Sequence, residues 1–581
     1  MASVGLLPGL AMVVGAVCGL VWADALPAES RMQGSTLVAL WTAGWIAWLC
    51  WRQHLTLALL TVSFVCAGAL QAIDGRDRAL HTPLRALLDR EIGGFAIDTP
   101  GPGVRHDPLP IRARLTEDAS HGGEVITLRA SITSVRVRGV WRETQGDVSL
   151  SVGGSEARAG ADQWRAGRRI ETWTTFRRPA RYLNQGVPDF ERDLALHGTT
   201  LFGSVKSGLL VDVVALGNRI EEWAAFVRRH VRASVERWVG RHDAVSAAIV
   251  SAVLIGDRTG LPDEIRLRLQ AAGTYHVIAI SGGNIAIFAG LVLAILLVCG
   301  VTGRPAALVT LLLLAGYAEV VTAGASVWRA TLMAGFYLGA RVLDHRSSPW
   351  HALALTAAVI VCIRPLDVRD AGFILTFGAT AALLDVARRG ASVETLVRAS
   401  ATMSATAPAT VPQAKSPRVA PNVFPVIAGR VIRWLVMSAA ASMAVEIALM
   451  PVGARAFSRV TSAGLLLNLV AVPLMGFVQV GGIVVSVLDG LETIAEPAGW
   501  IAHAAASGLV NSARLVDAAP WLAERVPAPP LVLVGAYYLA LVATLLTRGG
   551  WRASGAAIWL ASALAIVTGQ PAGSDCGWRV S

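Results

Sequence analysis

Residues 274–299, TYHVIAISGGNIAIFAGLVLAILLVC, contain no Asp, Glu, Lys or Arg and are long enough to cross a bilayer. The first half of this stretch nevertheless holds His276, Ser281, Gly282, Gly283 and Asn284. Polar and irregular backbone at membrane depth is tolerated where protein or a water-filled cavity surrounds it. The stretch therefore predicts a membrane segment that lines a hydrophilic path and does not face lipid.

The composition of the whole chain places this segment in a polytopic α-helical membrane protein. The chain has 581 residues, of which 54% are hydrophobic and only 16% charged, with a mean hydropathy of +0.54. A typical soluble domain has about 25% charged residues. Apolar runs predict about 13 spans. They lie at 4–22, 35–51, 54–72, 276–299, 306–322, 327–343, 351–363, 371–387, 434–453, 462–488, 498–517, 531–547 and 551–568.

The net charge and the cysteine positions bear on which partners and cofactors the protein is expected to bind. The net charge of +11 fits either a polyanionic partner or the Lys- and Arg-rich cytoplasmic loops of membrane proteins. Five of the six cysteines lie in or beside apolar runs, and the chain has no CxxC motif. No metal and no cofactor is expected. The first apolar run has no positive residue before it, which favours a retained span over a cleaved signal.

Residues 74–215 differ in kind from the rest, because they are rich in Arg, Asp, Gly and Pro. EVITLRASITSVRVRGVWRE, GDVSLSVGG, GRRIETWTTFRRP and GTTLFGSVKSG indicate short strands separated by turns. This spacing predicts a small inserted β-barrel or sandwich, for which an OB-like barrel is one option. Arg52 marks the connector before the third run as cytoplasmic, so the β domain is expected outside.

The chain divides into seven expected segments. The segment 216–244 forms a charged amphipathic helix, which lies either on the membrane surface or between the β domain and the membrane block. The others are N-terminal membrane helices (1–73), the extracytoplasmic OB-like domain (74–215), the first half of the membrane bundle (245–390), a basic low-complexity cytoplasmic linker (391–430), the second half of the bundle (431–570) and a tail (571–581).

Polar residues within or beside the apolar runs are candidates for the lining of a channel. Each has a purely structural alternative, such as a loop ion pair, a helix cap or a contact between helices. The candidates are Asp257, Arg258, His276, Ser281, Gly282, Asn284, Glu319, Arg329, Asp370, Glu446 and Asn468. No hydrolase, zinc-protease or P-loop motif accompanies them, so no enzyme activity is expected.

GDRTGLPDEIRLRLQAAGTYHVIAISGGNIAIFAGL resembles the ComEC family, the inner-membrane channels for DNA uptake in bacterial competence. GASVWRATLMAGFYLGARVLDHRSS, IRPLDVRDAGFILTFGATAALL, AGLLLNLVAVPLMG and the upstream RYLNQGVPDFERDLALHGTTLFG extend the resemblance over most of the chain. The resemblance implies an OB-like domain outside the membrane and a channel that passes one DNA strand to the cytoplasm. It also implies an outer DNA receptor and a cytoplasmic helicase or DNA-binding protein as partners.

Two departures from the family pattern matter. Asn284 stands where a His is common in the family, so a role tied to that His does not transfer. Many members end in a metallo-β-lactamase-like domain, whose His/Asp motif is missing from this chain, and no nuclease is assigned.

A single DNA strand requires a positive groove with stacking surfaces. The β domain offers candidates of both kinds, against the alternative of a solvated basic surface with core aromatics. They are Arg136, Arg138, Trp141, Arg168, Arg169, Trp173, Arg177 and Arg178. The leading hypothesis is a single-stranded DNA channel of the bacterial inner membrane. The alternatives are a transporter of a smaller solute and a membrane scaffold that has lost transport.

Overall fold

The structure is a computed structural model that describes residues 6–25, 53–91, 107–122, 125–179, 189–321, 324–345, 348–405, 423–519 and 522–569. Within these ranges it has two parts. A domain built on one large β-sheet is inserted between the N-terminal helices and a larger block of apolar helices.

The chain begins with two long helices, α1 (Leu6–Ala25) and α2 (Gln53–Leu80), which pack against each other along their lengths. Glycines allow this close approach. A Cβ atom added to Gly15 would lie 2.0 Å from the carbonyl oxygen of Val65. Gly15 and Gly19 form the small-xxx-small pattern by which membrane helices associate. A short helix, α3 (Pro83–Glu91), then leads into the sheet.

Seven strands make up the sheet of the inserted domain. They are β1 (Leu109–Leu115), β2 (Ser120–Gly122), β3 (Val125–Val137), β4 (Val140–Val152), β5 (Arg169–Arg177), β6 (Leu201–Val205) and β7 (Val211–Ala215). The pairings run β1–β3–β4–β6–β5 and return to β1, while β2 adds to β3 and β7 adds to β5. The β4–β6 pairing is parallel, and the other pairings are antiparallel.

Alternation along the strands builds the core of this domain, because successive side chains of a strand point to opposite faces. In β3, Ile126, Leu128 and Ile132 are buried with Ala130 between them. Leu84 of α3 closes the core from one side. A helix of five residues, α4 (Glu156–Gly160), separates β4 from β5, and α5 (Phe190–Leu196) precedes β6.

One long helix leaves the sheet domain and enters the helical block. Helix α6 (Arg219–Val235) begins with a capping box between Asn218 and Glu221 and continues as a π-helical turn over Glu236–Gly240. Val235 and Trp238 at its far end are buried against the helical block. The helix contacts both the sheet domain and the helical block.

The helical block contains fourteen further helices within the described ranges. They are α7 (Ala244–Ile255), α8 (Asp263–Ala271), α9 (Tyr275–Ile278), α10 (Gly282–Val298), α11 (Arg304–Val320), α12 (Ala325–Val342), α13 (Pro349–Ile363), α14 (Ala371–Ala405), α15 (Val423–Phe457), α16 (Ala463–Val487), α17 (Glu492–Ala513), α18 (Leu515–Ala518), α19 (Leu531–Leu546) and α20 (Gly550–Thr568). A two-stranded ribbon of β8 (Arg459–Thr461) and β9 (Ala523–Arg525) joins two of the connections.

Five stretches of helix in the described ranges are long and apolar enough to cross a membrane. They are Leu6–Asp24, Ala371–Arg389, Leu435–Phe457, Ala463–Val487 and Gly550–Thr568. Four shorter apolar helices, α7, α10, α13 and α19, accompany them. The chain is therefore a mostly helical protein with several membrane-spanning candidates. The expected run 35–51 lies outside the described residues.

Two expected boundaries differ from the structure. The run 276–299 is not one helix, because the chain is extended between α9 and α10. Helices α14 and α15 extend into the expected linker 391–430, of which residues 406–422 lie outside the described ranges. The Ala-containing sequence of residues 391–405 favours helix, which explains the extension of α14.

Candidate functional site

The break between α9 and α10 lies within the stretch 274–299. Ala279 has extended backbone angles, and Ser281 is extended as well, with φ of −123° and ψ of 177°. Helix α10 then begins at Gly282. Three side chains hold this irregular segment in place, and they come from three different helices.

Ser326 of α12 donates a hydrogen bond from Oγ to the carbonyl oxygen of Ile280, at 2.9 Å. The amide of Asn284 turns back toward the break, where its Oδ1 accepts from Ser281 N and Ser281 Oγ, each at 3.2 Å. Gln479 of α16 donates from Nε2 to the carbonyl oxygen of Asn284, at 2.9 Å. Hydrogen bonds from two neighbouring helices, α12 and α16, therefore stabilise the break.

Two buried polar atoms beside the break lack a partner among the described residues. They are Asn284 Nδ2 and Gln479 Oε1. Both residues have 0% relative exposure. Burying an unpaired donor or acceptor costs about 1–3 kcal/mol, so such atoms call for an explanation.

The segment GDRTG lies beside the break and connects it to other elements. Arg258 Nη1 donates to the hydroxyl of Tyr275, the first residue of α9, at 3.2 Å. Asp257 accepts from Thr259 Oγ1 at 2.6 Å and from Arg232 Nε at 2.5 Å. Burial alone would raise the pKa of Asp257, but the charge of Arg232 and the hydrogen bonds from Thr259 outweigh it and hold that pKa below its usual value.

Two arginines of α6 extend this network to the sheet domain. Arg228 donates from Nε and Nη2 to the two carboxylate oxygens of Asp118, each at 2.7 Å, and from Nη1 to the carbonyl oxygen of Val320 at 3.3 Å. Arg232 lies 3.7 Å from the same Asp118 carboxylate. Burial opposes ionisation of Asp118, but its bonds to Arg228 prevail and lower its pKa. A continuous polar chain therefore runs from the sheet domain to the GDRTG segment.

The remaining lining candidates are more scattered. Arg329 is buried in α12 and pairs with Asp370 at 3.4 Å. His276 is exposed, and its Nδ1 lies 2.8 Å from the carbonyl oxygen of Gly273. Glu319 is exposed and Glu446 is half-buried, and neither makes an ion pair with another described residue. Asn468 is half-buried, with a buried Oδ1 that lacks a partner.

Three of the expected DNA-binding arginines are engaged in ion pairs within the protein. Arg168 makes two 2.8 Å bonds to Glu222 of α6, and these bonds lower the pKa of Glu222 to about 2. Arg178 pairs with Glu191 at 3.0 Å. Arg138 lies 3.5 Å from Glu91. The first of these pairs fixes the start of α6 to the sheet domain, beside a second pair between Arg114 and Glu221.

Other candidates present their side chains on the outer surface of the sheet. The indole of Trp173 is 50% exposed and borders a groove of about 250 Å³ with Lys206, Ser204 and Thr175. The remaining walls are Pro108 and Leu210.

Further basic side chains lie elsewhere on the sheet domain. Arg177 on β5 is exposed, and its guanidinium lies 5.0 Å from the ring centre of Phe202. Arg169 and Arg136 are exposed. The ring of Trp141 is covered by the guanidinium of Arg112.

Several residues of these networks escaped the sequence analysis. Gln479 had a visible signal, since it is a polar residue within the apolar run 462–488. Lys206 lies in the predicted strand GTTLFGSVKSG, and its positive charge could have identified it as a DNA-binding candidate. Asp118 and Arg228 had no such signal, because they are 110 residues apart and lie in ordinary charged segments. Among the described residues, no group of three or more His, Cys, Asp or Glu side chains is placed to hold a metal ion.

The fold and the broken, polar helix pair define a multi-helix membrane protein with an inserted sheet domain. The Competence protein family matches residues 253–571, which is more than half of the chain. The chain therefore belongs to this family, and the resemblance seen in its sequence is confirmed.

One named protein is also similar to part of this chain. ComE operon protein 3 of Bacillus subtilis (strain 168) is 33% identical over 139 residues, which cover 24% of this chain. The aligned region spans only 18% of that relative. No solved structure matches the chain.

Proposed function

We propose that this protein conducts single-stranded DNA across the bacterial inner membrane during natural competence. The observation that carries the proposal is the break between α9 and α10, a polar and irregular segment within an apolar block. It is joined through Arg258, Asp257, Arg232 and Arg228 to the sheet domain. Membership of the Competence protein family and the similarity to ComE operon protein 3 support a role in DNA uptake.

We assign the sheet domain to the OB-like barrels, a fold that binds nucleic acids, and this assignment supports the proposal. In an OB-fold, five strands close a Greek-key barrel, and nucleic acids bind on its outer face and loops. The pairing order β1–β3–β4–β6–β5–β1, with β4 parallel to β6, supports this assignment. We assign residues 74–215 to this domain and place it outside the membrane.

The helical block supports a membrane bundle of about 13 spans. Twelve of the thirteen apolar runs of the sequence coincide with helices of the structure, and the thirteenth lies outside the described residues. Two of the twelve, 276–299 and 498–517, are each divided between two helices. The segments 245–390 and 431–570 form the two halves of the bundle, with the basic linker in the cytoplasm. The proposed partners are an outer DNA receptor and a cytoplasmic helicase or DNA-binding protein, and the chain itself performs transport without catalysis.

The groove beside Trp173 and Lys206 offers the first contact with the strand. An exposed indole stacks on any base, and the ammonium of Lys206 lies in the same groove to meet a phosphate. Replacing a stacking aromatic residue by alanine typically costs about 1–3 kcal/mol, which is roughly 5- to 150-fold in affinity. We therefore expect Trp173→Ala in the purified full chain to bind a single-stranded oligonucleotide at least about fivefold more weakly.

Trp551 provides a matched control, because it is 80% exposed at the start of α20 and lies outside the sheet domain. Trp551→Ala is expected to bind the oligonucleotide as the unmodified chain does. Uptake of labelled DNA by cells that lack the gene and carry each variant completes the test. Equal binding and uptake by both tryptophan variants would show that the groove does not bind the strand. Normal uptake by cells without the gene would refute the channel function.

A further inference from the structure

We propose that a cluster of three arginines around Asp24 binds the headgroup of an anionic phospholipid whose acyl chain lies along α1. Asp24 is the last residue of the candidate span Leu6–Asp24. Arg76 of α2 donates to its carboxylate at 3.0 Å, and Arg369, which precedes α14, donates at 2.7 Å. Arg192 of α5 forms a third ion pair with the same carboxylate. The N-terminal helices, the sheet domain and the helical block therefore meet at one acidic side chain.

The positions of these residues in the sequence place the cluster at one edge of the apolar helices. Asp24 ends an apolar span, and Arg76 follows the apolar run 54–72 by four residues. Arg369 precedes the candidate span Ala371–Arg389 by two residues. Arginines at the end of a membrane span extend to the interface, where the lipid phosphates lie. The cluster is therefore at the depth of the headgroups, on the side of the helices that carries the sheet domain.

The cluster carries more positive than negative charge. Its three guanidinium groups share two carboxylates, because Arg76 also pairs with Asp77 at 3.3 Å. Each guanidinium has five N–H donors. Among the described residues, the contact with Asp24 takes up one donor of Arg192 and one of Arg369, and these side chains are 38% and 43% exposed. The remaining donors and the surplus charge favour a phosphate, which arginine binds with two parallel hydrogen bonds.

An apolar pocket of about 130 Å³ adjoins the arginines and points to a lipid as the ligand. It is lined by Val17, Leu20, Val21, Asp24, Val368 and Arg369. The exposed side chains of Val17 and Val21 continue a stripe with Leu10 and Val14, because spacings of three and four residues place all four on one face of α1. An acyl chain fits this stripe, whereas a nucleic acid would bury no apolar chain there. The inference goes beyond the proposed function, since such a site would serve a channel, a transporter or a scaffold alike.

Arg369→Gln tests the headgroup contact with little effect on the fold, because Asp24 keeps two other arginine partners. Arg266→Gln is the matched control. Arg266 lies in α8, is 46% exposed and pairs with Asp263 at 2.8 Å. Both substitutions therefore remove one half-exposed positive charge that is paired with an aspartate, and only the first lies in the cluster.

Val17→Trp tests the acyl-chain contact, because the larger side chain would occupy the pocket. Val14→Trp is its control, since Val14 lies on the same face of α1 but is not among the residues that line the pocket. The exposed fractions of Val17 and Val14 are similar, 43% and 46%. Neither substitution therefore places the new ring in the core of the protein.

The first measurement is the thermal unfolding temperature of the full chain in a non-ionic sugar detergent, titrated with dioleoyl phosphatidylglycerol. The lipid is expected to stabilise the unmodified chain and both control variants at the same concentrations. We expect Arg369→Gln to require at least about fivefold more lipid, the typical contribution of one arginine to binding an anionic membrane lipid. Val17→Trp is expected to weaken the stabilisation as well. Equal responses of Arg369→Gln and Arg266→Gln would overturn the headgroup contact, and equal responses of the two tryptophan variants would overturn the acyl-chain contact.

The second measurement identifies the ligand of the cluster. Dioleoyl phosphatidylcholine, inorganic phosphate and a short oligothymidylate each replace phosphatidylglycerol in the same titration. Weaker stabilisation by all three than by phosphatidylglycerol supports an anionic lipid. Equal stabilisation by phosphatidylcholine would overturn the requirement for a negative headgroup, and equal stabilisation by inorganic phosphate would overturn the requirement for an acyl chain. Stabilisation by the oligonucleotide and not by phosphatidylglycerol, lost in Arg369→Gln, would overturn the lipid site and assign the arginines to a nucleic acid.

Discussion

Arg228 is a buried, ion-paired residue at the contact between the two parts of the protein. It has 2% relative exposure, makes two bonds to Asp118 of the sheet domain and reaches the end of α11 through the carbonyl of Val320. A buried charge is tolerated when its partner and its hydrogen bonds are complete. Removal of either member of the pair would therefore leave an unpaired buried charge and destabilise the folded protein.

Asp118→Asn is expected to destabilise the protein by about 3–5 kcal/mol, because it leaves the buried guanidinium of Arg228 without a counter-charge. Thermal unfolding of the purified chain measures the change. Asp344→Asn breaks a pair with Arg304 in which both side chains are more than half exposed. That control is expected to change stability by less than about 1 kcal/mol. Similar effects of the two substitutions would contradict the role given to Arg228.

Helices α1 and α2 pack closely against each other through glycine residues. Glycines 9, 15, 19 and 68 all place backbone where a Cβ atom would clash with the neighbouring helix or with α13. Small residues that allow helices to approach closely are typical of membrane interfaces.

Gly15→Ala is expected to force α1 and α2 apart, because the new Cβ would lie 2.0 Å from the carbonyl oxygen of Val65. Overpacking of this kind typically costs about 1–3 kcal/mol. The measurement is the unfolding temperature together with the yield of folded protein. Gly476→Ala in α16 is the control, since its Cβ meets nothing within 4 Å, and equal behaviour of the two alanine variants would show that this contact is not tight.

At this scale the sequence predicts much of the structure. Hydropathy locates the helices, because the burial of long apolar segments requires no knowledge of their neighbours. Alternation locates β3, β4 and β5 for the same reason. The break in residues 276–299 was indicated by Ser281 and the two glycines after it, but its extent depends on Ser326 and Gln479, which come from distant parts of the chain.

The candidate site was predicted less completely. Ser281, Gly282 and Asn284 come together at the break, and Arg258 adjoins them through Tyr275. Arg168 was chosen for its charge, and the structure places that charge against Glu222. Composition cannot distinguish an arginine that is free from one that is paired, because pairing depends on contacts between residues far apart in sequence.

Helix α6 joins the sheet domain to the helical block, and an ion pair between Arg192 of α5 and Asp24 of α1 adds a second contact between the sheet domain and the helices. The start of α6 is fixed to the sheet domain by Glu221 and Glu222, and its end is buried in the helical block, where Trp238 donates to Asp489 at 2.7 Å. The bonds from Arg168 hold the pKa of one of these carboxylates, Glu222, below its usual value, so acid is expected to weaken the junction.

The Glu222 side chain has a pKa of about 2 in the folded protein against an ordinary value of 4.5. Its contribution to stability is full above pH 4.5 and is lost as the pH falls toward 2. Glu222→Gln is therefore expected to unfold at a lower temperature than the unmodified chain at pH 6, with a gap that closes between pH 4.5 and 2. Glu143→Gln, which alters an exposed carboxylate of the same domain, is the control and is expected to unfold at nearly the same temperature as the unmodified chain at pH 6. A constant gap for Glu222→Gln would contradict the assignment.

The continuity of α6 also has a mechanical meaning. Under the proposed function, a flexible tether would let the sheet domain move while the strand is drawn inward. A stiff helix fixed to both parts would instead hold the sheet domain in place and transmit the load to the bundle.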